Sequence, residues 1–254
     1  QTSAGSLYTL SVEAAVNTPF FEVQKGVTAV FASAGTLTGG GTIQIGGTVS
    51  LSGLSKAFST IVLNDGSLTG GTLSGGTLSV TGSGASVIST VLAAGAGSIT
   101  KAGSGTLTVS GSSAAYTGSL LASAGVVRLG NAAALGTAAK VGSLATDATL
   151  QLAGNNVVLA ALSGGGVVEN AAAQSGTFTL NTAGDAVFSG VVRDGVGGGL
   201  LALVKDGTAV LTLGGASTYS GGTTVKQGRL QLSGGTLPSG GALTVQGGTL
   251  NLGG

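Results

Sequence analysis

The chain has 254 residues, of which 51 are glycine and two are proline, and nine basic and eight acidic side chains leave a formal charge of +1. It contains no cysteine and no histidine, which excludes a disulfide framework, a cysteine- or histidine-ligated metal and a catalytic triad built on histidine. The singly scattered charges exclude nucleic-acid binding, which needs clustered Lys and Arg, and the scarcity of proline excludes collagen.

The first 34 residues differ from the rest because they hold three of the six phenylalanines. Apolar and polar residues alternate from Tyr8 to Glu13, which predicts a half-buried strand, and residues 27–31 predict a second one. Residues 17–19 end in proline and predict a break between the two strands. We interpret residues 1–34 as an N-terminal segment that caps an open sheet end, and the alternative is a docking surface for a neighbouring subunit.

From residue 35 the chain is a succession of short units in which glycine and threonine precede an apolar residue, as in 41–45 and 76–80. Each unit predicts a glycine turn followed by a short strand with one apolar face. The reason is that glycine accepts the positive φ of such a turn, whereas threonine and valine suit a pleated surface. We therefore predict that residues 35–254 form glycine-rich repeats of strands.

The strongest helical candidate is the alanine-rich segment 131–141. Gly130, Gly136 and Gly142 divide it into pieces shorter than a stable helix, so we interpret it as a loop outside the coil of strands. The most apolar run, 157–168, is broken by a serine and three glycines and falls short of the roughly 20 residues of a membrane span. We therefore predict no transmembrane segment.

Two stretches, 99–129 and 203–232, repeat one pattern: a lysine, alternating apolar residues, a glycine turn, a lone tyrosine, a second glycine turn and further alternation. The repeat-defining residues of the first copy are Lys101, Gly103, Leu107, Val109, Tyr116, Gly118 and Gly125. Those of the second copy are Lys205, Gly207, Leu211, Leu213, Tyr219, Gly221, Gly222, Gly228, Leu230 and Leu232. Such a repeat indicates an array of strand units.

The second copy resembles the passenger-associated transport repeat of bacterial autotransporters. The resemblance rests on LTLGG at 211–215 and on YSGGTTVKQGRLQL at 219–232. The first copy is a looser match, because Ser119 and Leu120 stand where the family has glycine and threonine. The resemblance implies a right-handed parallel β-helix, or β-solenoid, that is secreted across the outer membrane of a Gram-negative bacterium and displayed at the cell surface.

The spacing of the two copies agrees with such a coil, in which one circuit of the chain is a rung. Three strands of about five residues with turns of two or three make a rung of about 21–24 residues. Five rungs then fit the offset of 104 residues between the copies. The whole chain makes about 11–12 rungs and a rod of about 55 Å at about 4.8 Å a rung. An antiparallel sandwich is the alternative fold.

The sequence offers few candidates for catalytic or ligand-binding side chains. A Ser/Lys or Thr/Lys dyad is compatible with the composition, but serine and threonine are too abundant for such pairs to indicate a site. We interpret Asp185, Asp194 and Asp206 as solvated turns rather than as the paired carboxylates of a glycan-cleaving enzyme. We expect Tyr116 and Tyr219 to cover a rung edge with the hydroxyl in water, and a ligand-binding role is the alternative. No catalytic, cofactor-binding or metal residue is predicted.

These patterns predict a non-enzymatic structural β-solenoid of a secreted or cell-surface bacterial protein, acting as a stalk or an adhesin. Its expected partner is a second copy of itself, stacked end to end, or a cell-surface or host receptor, and neither nucleic acid nor a cofactor is expected. The alternative function is that of a subunit in an extracellular filament, which would assemble by adding strands end to end.

Overall fold

The structure is a computed structural model that describes residues 8–13, 15–31, 36–38, 41–136 and 140–253. These residues form 30 β-strands, numbered β1 to β30 along the chain, and no helix. Consequently this part of the chain has no helical segment long and apolar enough to cross a membrane. Parts of three sequence predictions lie outside the described residues, namely 1–7, 14 and 32–34 of the N-terminal segment, 35, 39–40 and 254 of the repeats, and 137–139 of the loop.

The described strands form three long sheets and one short sheet, and the strand pairs are parallel. Sheet I contains β1 (Tyr8–Val12), β4 (Val27–Phe31), β7 (Thr48–Ser50), β9 (Ser67–Thr69), β11 (Ala85–Ile88), β14 (Thr106–Val109), β16 (Gly125–Leu129), β18 (Ala148–Gln151), β21 (Val167–Glu169) and β24 (Val191–Arg193). Sheet II contains β3 (Phe20–Val23), β6 (Thr42–Ile45), β8 (Ser55–Leu63), β10 (Thr72–Val80), β12 (Val91–Leu92), β13 (Ala96–Lys101), β15 (Ser119–Ala122), β17 (Lys140–Leu144), β20 (Ala161–Gly164), β23 (Ala186–Phe188), β26 (Val210–Leu213), β28 (Arg229–Leu232) and β30 (Thr249–Asn251). Sheet III contains β19 (Val157–Leu159), β22 (Gly176–Asn181), β25 (Leu201–Asp206), β27 (Thr223–Val225) and β29 (Leu243–Val245), and the short sheet pairs β2 (Ala15–Asn17) with β5 (Thr36–Thr38).

Neighbouring strands in each sheet come from successive rungs, which is the topology of a parallel β-solenoid. The coil makes about 11 turns, and sheet II stacks twelve strands along its main path in the described residues. The predicted fold and rung number are therefore confirmed, and the alternative of an antiparallel sandwich was wrong. Parallel pairing follows from the connectivity, because each strand meets its neighbour only after the chain has completed a full circuit.

The core is a column of inward-facing aliphatic side chains, because residues of like type stack from rung to rung. On sheet II, Ile43 pairs with Ile61, which in turn pairs with Leu78 on the next strand. All three side chains are buried. One rung alone would leave this face in water, so the burial of apolar area that stabilises the fold exists only between rungs.

The first strands of the chain belong to the same ladders. β1 pairs with β4, which pairs with β7, and β3 pairs with β6, so residues 8–31 stack directly on the rungs that follow. Three phenylalanines pack edge to face here, with ring centroids 6.2 Å apart for Phe21 and Phe31 and 5.6 Å apart for Phe31 and Phe58. The capping role of residues 1–34 stays a prediction.

The alanine-rich segment contributes to the core, and the prediction that it lies outside the coil was wrong for its described part. Ala134 and Leu135 are buried. The carbonyl of Ala133 accepts the N–H groups of Ser113 and Gly136, at 2.9 and 3.0 Å. The turn packs inward because its side chains are small and apolar, and burying them releases water from their surface.

Candidate functional site: the two repeats and their buried lysines

Each repeat is a unit of two strands followed by the two strands that stack on them. In the first copy, β13 and β14 pair one rung later with β15 and β16. In the second copy, β25 and β26 pair with β27 and β28 in the same way. The core residues of the motif meet across these pairs, since Leu107 lies beside Val127 and Leu211 beside Leu230. One repeat thus contains both partners of two parallel ladders.

The two copies do not lie on the same faces of the coil. The first runs from sheet II to sheet I, and the second runs from sheet III to sheet II. Between Lys101 and Lys205 the chain makes four circuits and crosses two further faces, so the copies lie slightly less than the predicted five rungs apart. The rungs are uneven: Ile61 pairs with Leu78 after 17 residues, whereas Ala186 pairs with Leu211 after 25.

The two lysines of the motif are fully buried inside the coil. The Lys101 ammonium donates to the carbonyl of Gly103 in its own rung and to that of Ala124 in the next rung, the latter at 3.3 Å. The Lys205 ammonium donates to the main-chain carbonyls of Asp206 at 2.7 Å, of Gly207 at 2.8 Å and, one rung on, of Gln227 at 3.3 Å. Each lysine therefore clamps two successive turns through their carbonyl oxygens, and we call this arrangement the lysine clamp.

Burial shapes the chemistry of the lysine clamp. Removal of water lowers the pKa of both Lys101 and Lys205, and the nearby carboxylates of Asp65 and Asp206 partly offset this effect. The carbonyl oxygens that accept from each ammonium replace part of the lost hydration. The hydrogen bonds of both ammonium groups go to backbone carbonyls, so the two lysines are not partners in a Ser/Lys or Thr/Lys dyad.

Glycine is required where the second turn approaches the clamp. Gly125 has a φ of +73°, and a Cβ there would lie 2.6 Å from the Lys101 Nζ and 2.5 Å from the Gly103 carbonyl oxygen. Gly228 has a φ of +64°, and its Cβ would lie 2.5 Å from the Gly207 carbonyl oxygen. A side chain at either position would push the two turns apart.

Both tyrosines are fully buried, so the prediction of hydroxyls in water was wrong. The Tyr116 hydroxyl donates to the carbonyl of Gly97 in the preceding rung at 2.8 Å. The Tyr219 hydroxyl lies 2.6 Å from the Thr223 Oγ1. The ring fills the corner between the two halves of the repeat, and a side chain at Gly118 would overlap the Tyr116 ring. Burial raises the pKa of Tyr116 far above its ordinary value and that of Tyr219 to about 12.

A buried serine completes the corner in both copies and was missed in the sequence. The Ser113 Oγ accepts the Leu92 N–H at 2.9 Å, and the Ser217 Oγ accepts the Val192 N–H at 3.3 Å. Each serine lies two residues after a glycine that the two copies share, Gly111 or Gly215, and this was the available signal. That signal was weak because serine is abundant throughout the chain.

The three clustered aspartates each accept a hydrogen bond from a main-chain N–H group. Asp185 is exposed, and its Oδ1 accepts the Val210 N–H at 2.9 Å. Asp194 is partly buried, and its Oδ1 accepts the Leu201 N–H at 2.6 Å. The Asp206 Oδ1 accepts the Gly207 N–H at 2.8 Å. No group of three metal-ligating side chains occurs within the described ranges.

A short charged ladder crosses three rungs of sheet I and was also missed. Glu169 lies between Gln151 and Arg193 in register. Its Oε1 accepts from the Gln151 Nε2 at 2.8 Å, and its Oε2 lies 2.7 Å from an Arg193 guanidinium nitrogen. Both carboxylate oxygens are therefore engaged in holding rungs together.

Comparison with known families gives one match. The model of the passenger-associated transport repeat matches residues 99–129 and 203–232, which are the two repeats described above. Neither the curated proteins nor the solved structures include a significant match to the chain. The match confirms the resemblance drawn from the sequence motif.

Proposed function

We propose that this chain is a stalk or adhesin of a Gram-negative bacterium. It is a β-solenoid with two stretches that match the passenger-associated transport repeat. That repeat implies a bacterial protein that is secreted or exposed at the cell surface. Its proposed task is mechanical, namely to project a stiff surface from the cell. We propose no enzymatic reaction for it.

The observation that carries this proposal is the continuity of the ladders. Sheet II links twelve strands of the described residues from β3 to β30. Bending such a rod would require several parallel ladders to be broken on one side at the same time. The buried lysines and serines of the two repeats and Glu169 of the charged ladder bond to neighbouring rungs, so they support the rod rather than a reaction.

The repeats have a further proposed task in the assembly of the rod. Because each repeat holds both partners of two ladders and a lysine clamp between them, it can bury part of its own apolar face. Stacking of rungs can begin there and extend along the coil, as in other repeat proteins. We infer that the two repeats are nucleation points for folding outside the cell.

Electron microscopy of the isolated protein tests the stalk. We expect unbranched single rods of about 55 Å, together with labelling of intact cells by antibodies raised against the chain. Compact round particles would contradict the rod, and labelling that requires lysed cells would contradict display at the surface.

The filament is the second candidate, because the terminal strands of the described coil expose apolar side chains. Tyr8 and Leu10 of β1 are exposed at one end, and Leu243 and Val245 of β29 are exposed at the other. If the rods stack end to end, microscopy will show fibres with a regular axial repeat. A Leu243→Asp, Val245→Asp variant should then give single rods, and single rods from the unaltered chain would exclude the filament.

A further inference from the structure

A polar groove lies beside the first three rungs, away from both repeats. It has a volume of about 290 Å³ and is lined by Glu22, Gln24, Lys25, Gln44, Gly46, Asn64 and Asp65. The lining residues come from the ends of β3, β6 and β8 and from the turns that follow them. The groove thus extends across three successive rungs, whose strands are spaced by about 4.8 Å.

The groove differs from the lysine clamps and the charged ladder because most of its polar side chains have no hydrogen-bond partner among the described residues. Within the described part of the chain, the side chains of Glu22, Gln24, Lys25, Gln44 and Asn64 take part in none of the hydrogen bonds or ion pairs. Asp65 is held in place, since its Oδ1 accepts the Gly84 N–H at 2.7 Å. Polar groups of the lysine clamps and the charged ladder, in contrast, are bonded across rungs.

An exposed aromatic ring lies on the same outer face. Phe20 has 49% of its surface exposed and precedes Glu22 by two residues, so both side chains leave β3 on one side of sheet II. Glu22 pairs with Gln44 on the adjacent strand. The face therefore presents an apolar ring followed by a row of amide and carboxylate groups.

We propose that this groove, with Phe20 beside it, binds a neutral oligosaccharide. Amide side chains both donate and accept hydrogen bonds, as sugar hydroxyls do, and the three amides come from three different rungs. The ring of Phe20 offers an apolar face to the C–H side of a sugar. Two carboxylates and one ammonium leave the groove close to neutral, which favours an uncharged glycan over a polyanion. The inference rests on the adhesive form of the proposed function.

Titration of the isolated protein with chitohexaose, cellohexaose and maltohexaose, followed by calorimetry and ligand-observed NMR, tests this inference. We expect at least one of the three to bind. The Gln44→Ala, Asn64→Ala double variant should weaken that binding by about tenfold, because each amide contributes at least one hydrogen bond. Phe20→Ala should weaken it by a similar factor.

The matched control is Gln231→Ala, Asn251→Ala, which removes two amides from the same outer face of sheet II at the other end of the coil. We expect this control to bind the sugar as tightly as the unaltered chain does. All variants should keep the melting curve that the unaltered chain gives by circular dichroism. Absence of binding to all three sugars at millimolar concentration, or binding that the groove variants leave unchanged, would overturn the inference. Rods in the microscope without sugar binding would overturn this inference alone and leave the stalk intact.

Discussion

The two repeats share one motif but occupy different faces of the coil. Lys101 lies at the end of a sheet II strand, whereas Lys205 lies in a sheet III strand, and yet both ammonium groups bond to a turn of their own rung and to the turn one rung on. The tyrosines fill equivalent corners with different partners, a main-chain carbonyl for Tyr116 and a threonine hydroxyl for Tyr219. The motif therefore specifies how one rung docks on the next, and it is independent of the face on which this happens.

Substitution of the glycine at the second turn should give the largest loss of local stability, and the loss should be equal in the two copies. Gly125→Ala or Gly228→Ala combines a left-handed backbone with a close approach to carbonyl oxygens, and should cost about 4 kcal/mol of local opening free energy. Hydrogen exchange of the surrounding amides measures this. Gly234→Ala is the control, because Gly234 has a φ of +76° with open space around it; its cost should be about 1 kcal/mol. Equal costs at all three sites would show that the clamp does not require close approach.

Removal of the buried ammonium should give the next largest effect and should distinguish the copies. Lys101→Ala and Lys205→Ala each leave a cavity and unpaired carbonyl oxygens, and should cost about 3 kcal/mol. Lys205 bonds to three carbonyls and Lys101 to two, so the loss should be greater in the second copy. Local hydrogen exchange again reports the loss. Lys226 is exposed in the same repeat, so Lys226→Ala serves as the control and should change the opening free energy little. A larger loss of opening free energy for Lys101→Ala than for Lys205→Ala would contradict the expected order.

Removal of the tyrosine hydroxyl should give a smaller effect and reveal the difference in partners. Tyr116→Phe and Tyr219→Phe should each cost about 1 kcal/mol. A double-mutant cycle of Tyr219→Phe with Thr223→Val should show a coupling of about 1 kcal/mol. A cycle of Tyr116→Phe with Ser119→Ala should show none, since the Tyr116 hydroxyl donates to the main-chain carbonyl of Ser119. Coupling in both cycles would mean that the corners are alike.

A rise in pH should have the smallest effect on stability. We expect almost no loss near neutrality and a growing loss above pH 10. The pKa of Tyr219 is raised from 10.0 to about 12 because burial disfavours the phenolate. Its contribution to stability is therefore complete below pH 10 and is lost as the pH rises towards 12. The difference between the unaltered chain and Tyr219→Phe in a pH series of melting curves isolates this contribution. A difference that stays constant from pH 8 to pH 12 would contradict it.

Local patterns carried most of the fold prediction. Alternation over 76–80 and 106–109 predicted strands that the structure contains in β10 and β14. The strand type, the parallel coil and the motif were readable because they repeat over short distances, where glycine turns and two-residue alternation decide the backbone. The exact number of rungs between the copies was not readable, because corner loops vary in length without changing the strand pattern.

The candidate site was less predictable than the fold. Lys101 and Tyr116 were recognised as repeat-defining, but their burial was not foreseen, since lysine and tyrosine at the end of a strand usually lie in water. Their partners are main-chain carbonyls one rung away, and any residue type supplies a carbonyl. The pattern of residue types therefore cannot predict these hydrogen bonds.

The amino-acid sequence by itself determined the class of structure, because glycine, threonine and aliphatic residues in short alternation permit little besides stacked strands. It also determined the absence of histidine and cysteine chemistry. Only the tertiary structure decided which rungs meet, which face carries each repeat, and that two ammonium groups lie inside the coil. The physical reason is that a buried charge is stable only where several carbonyl oxygens converge, and that convergence arises when one rung has packed on another.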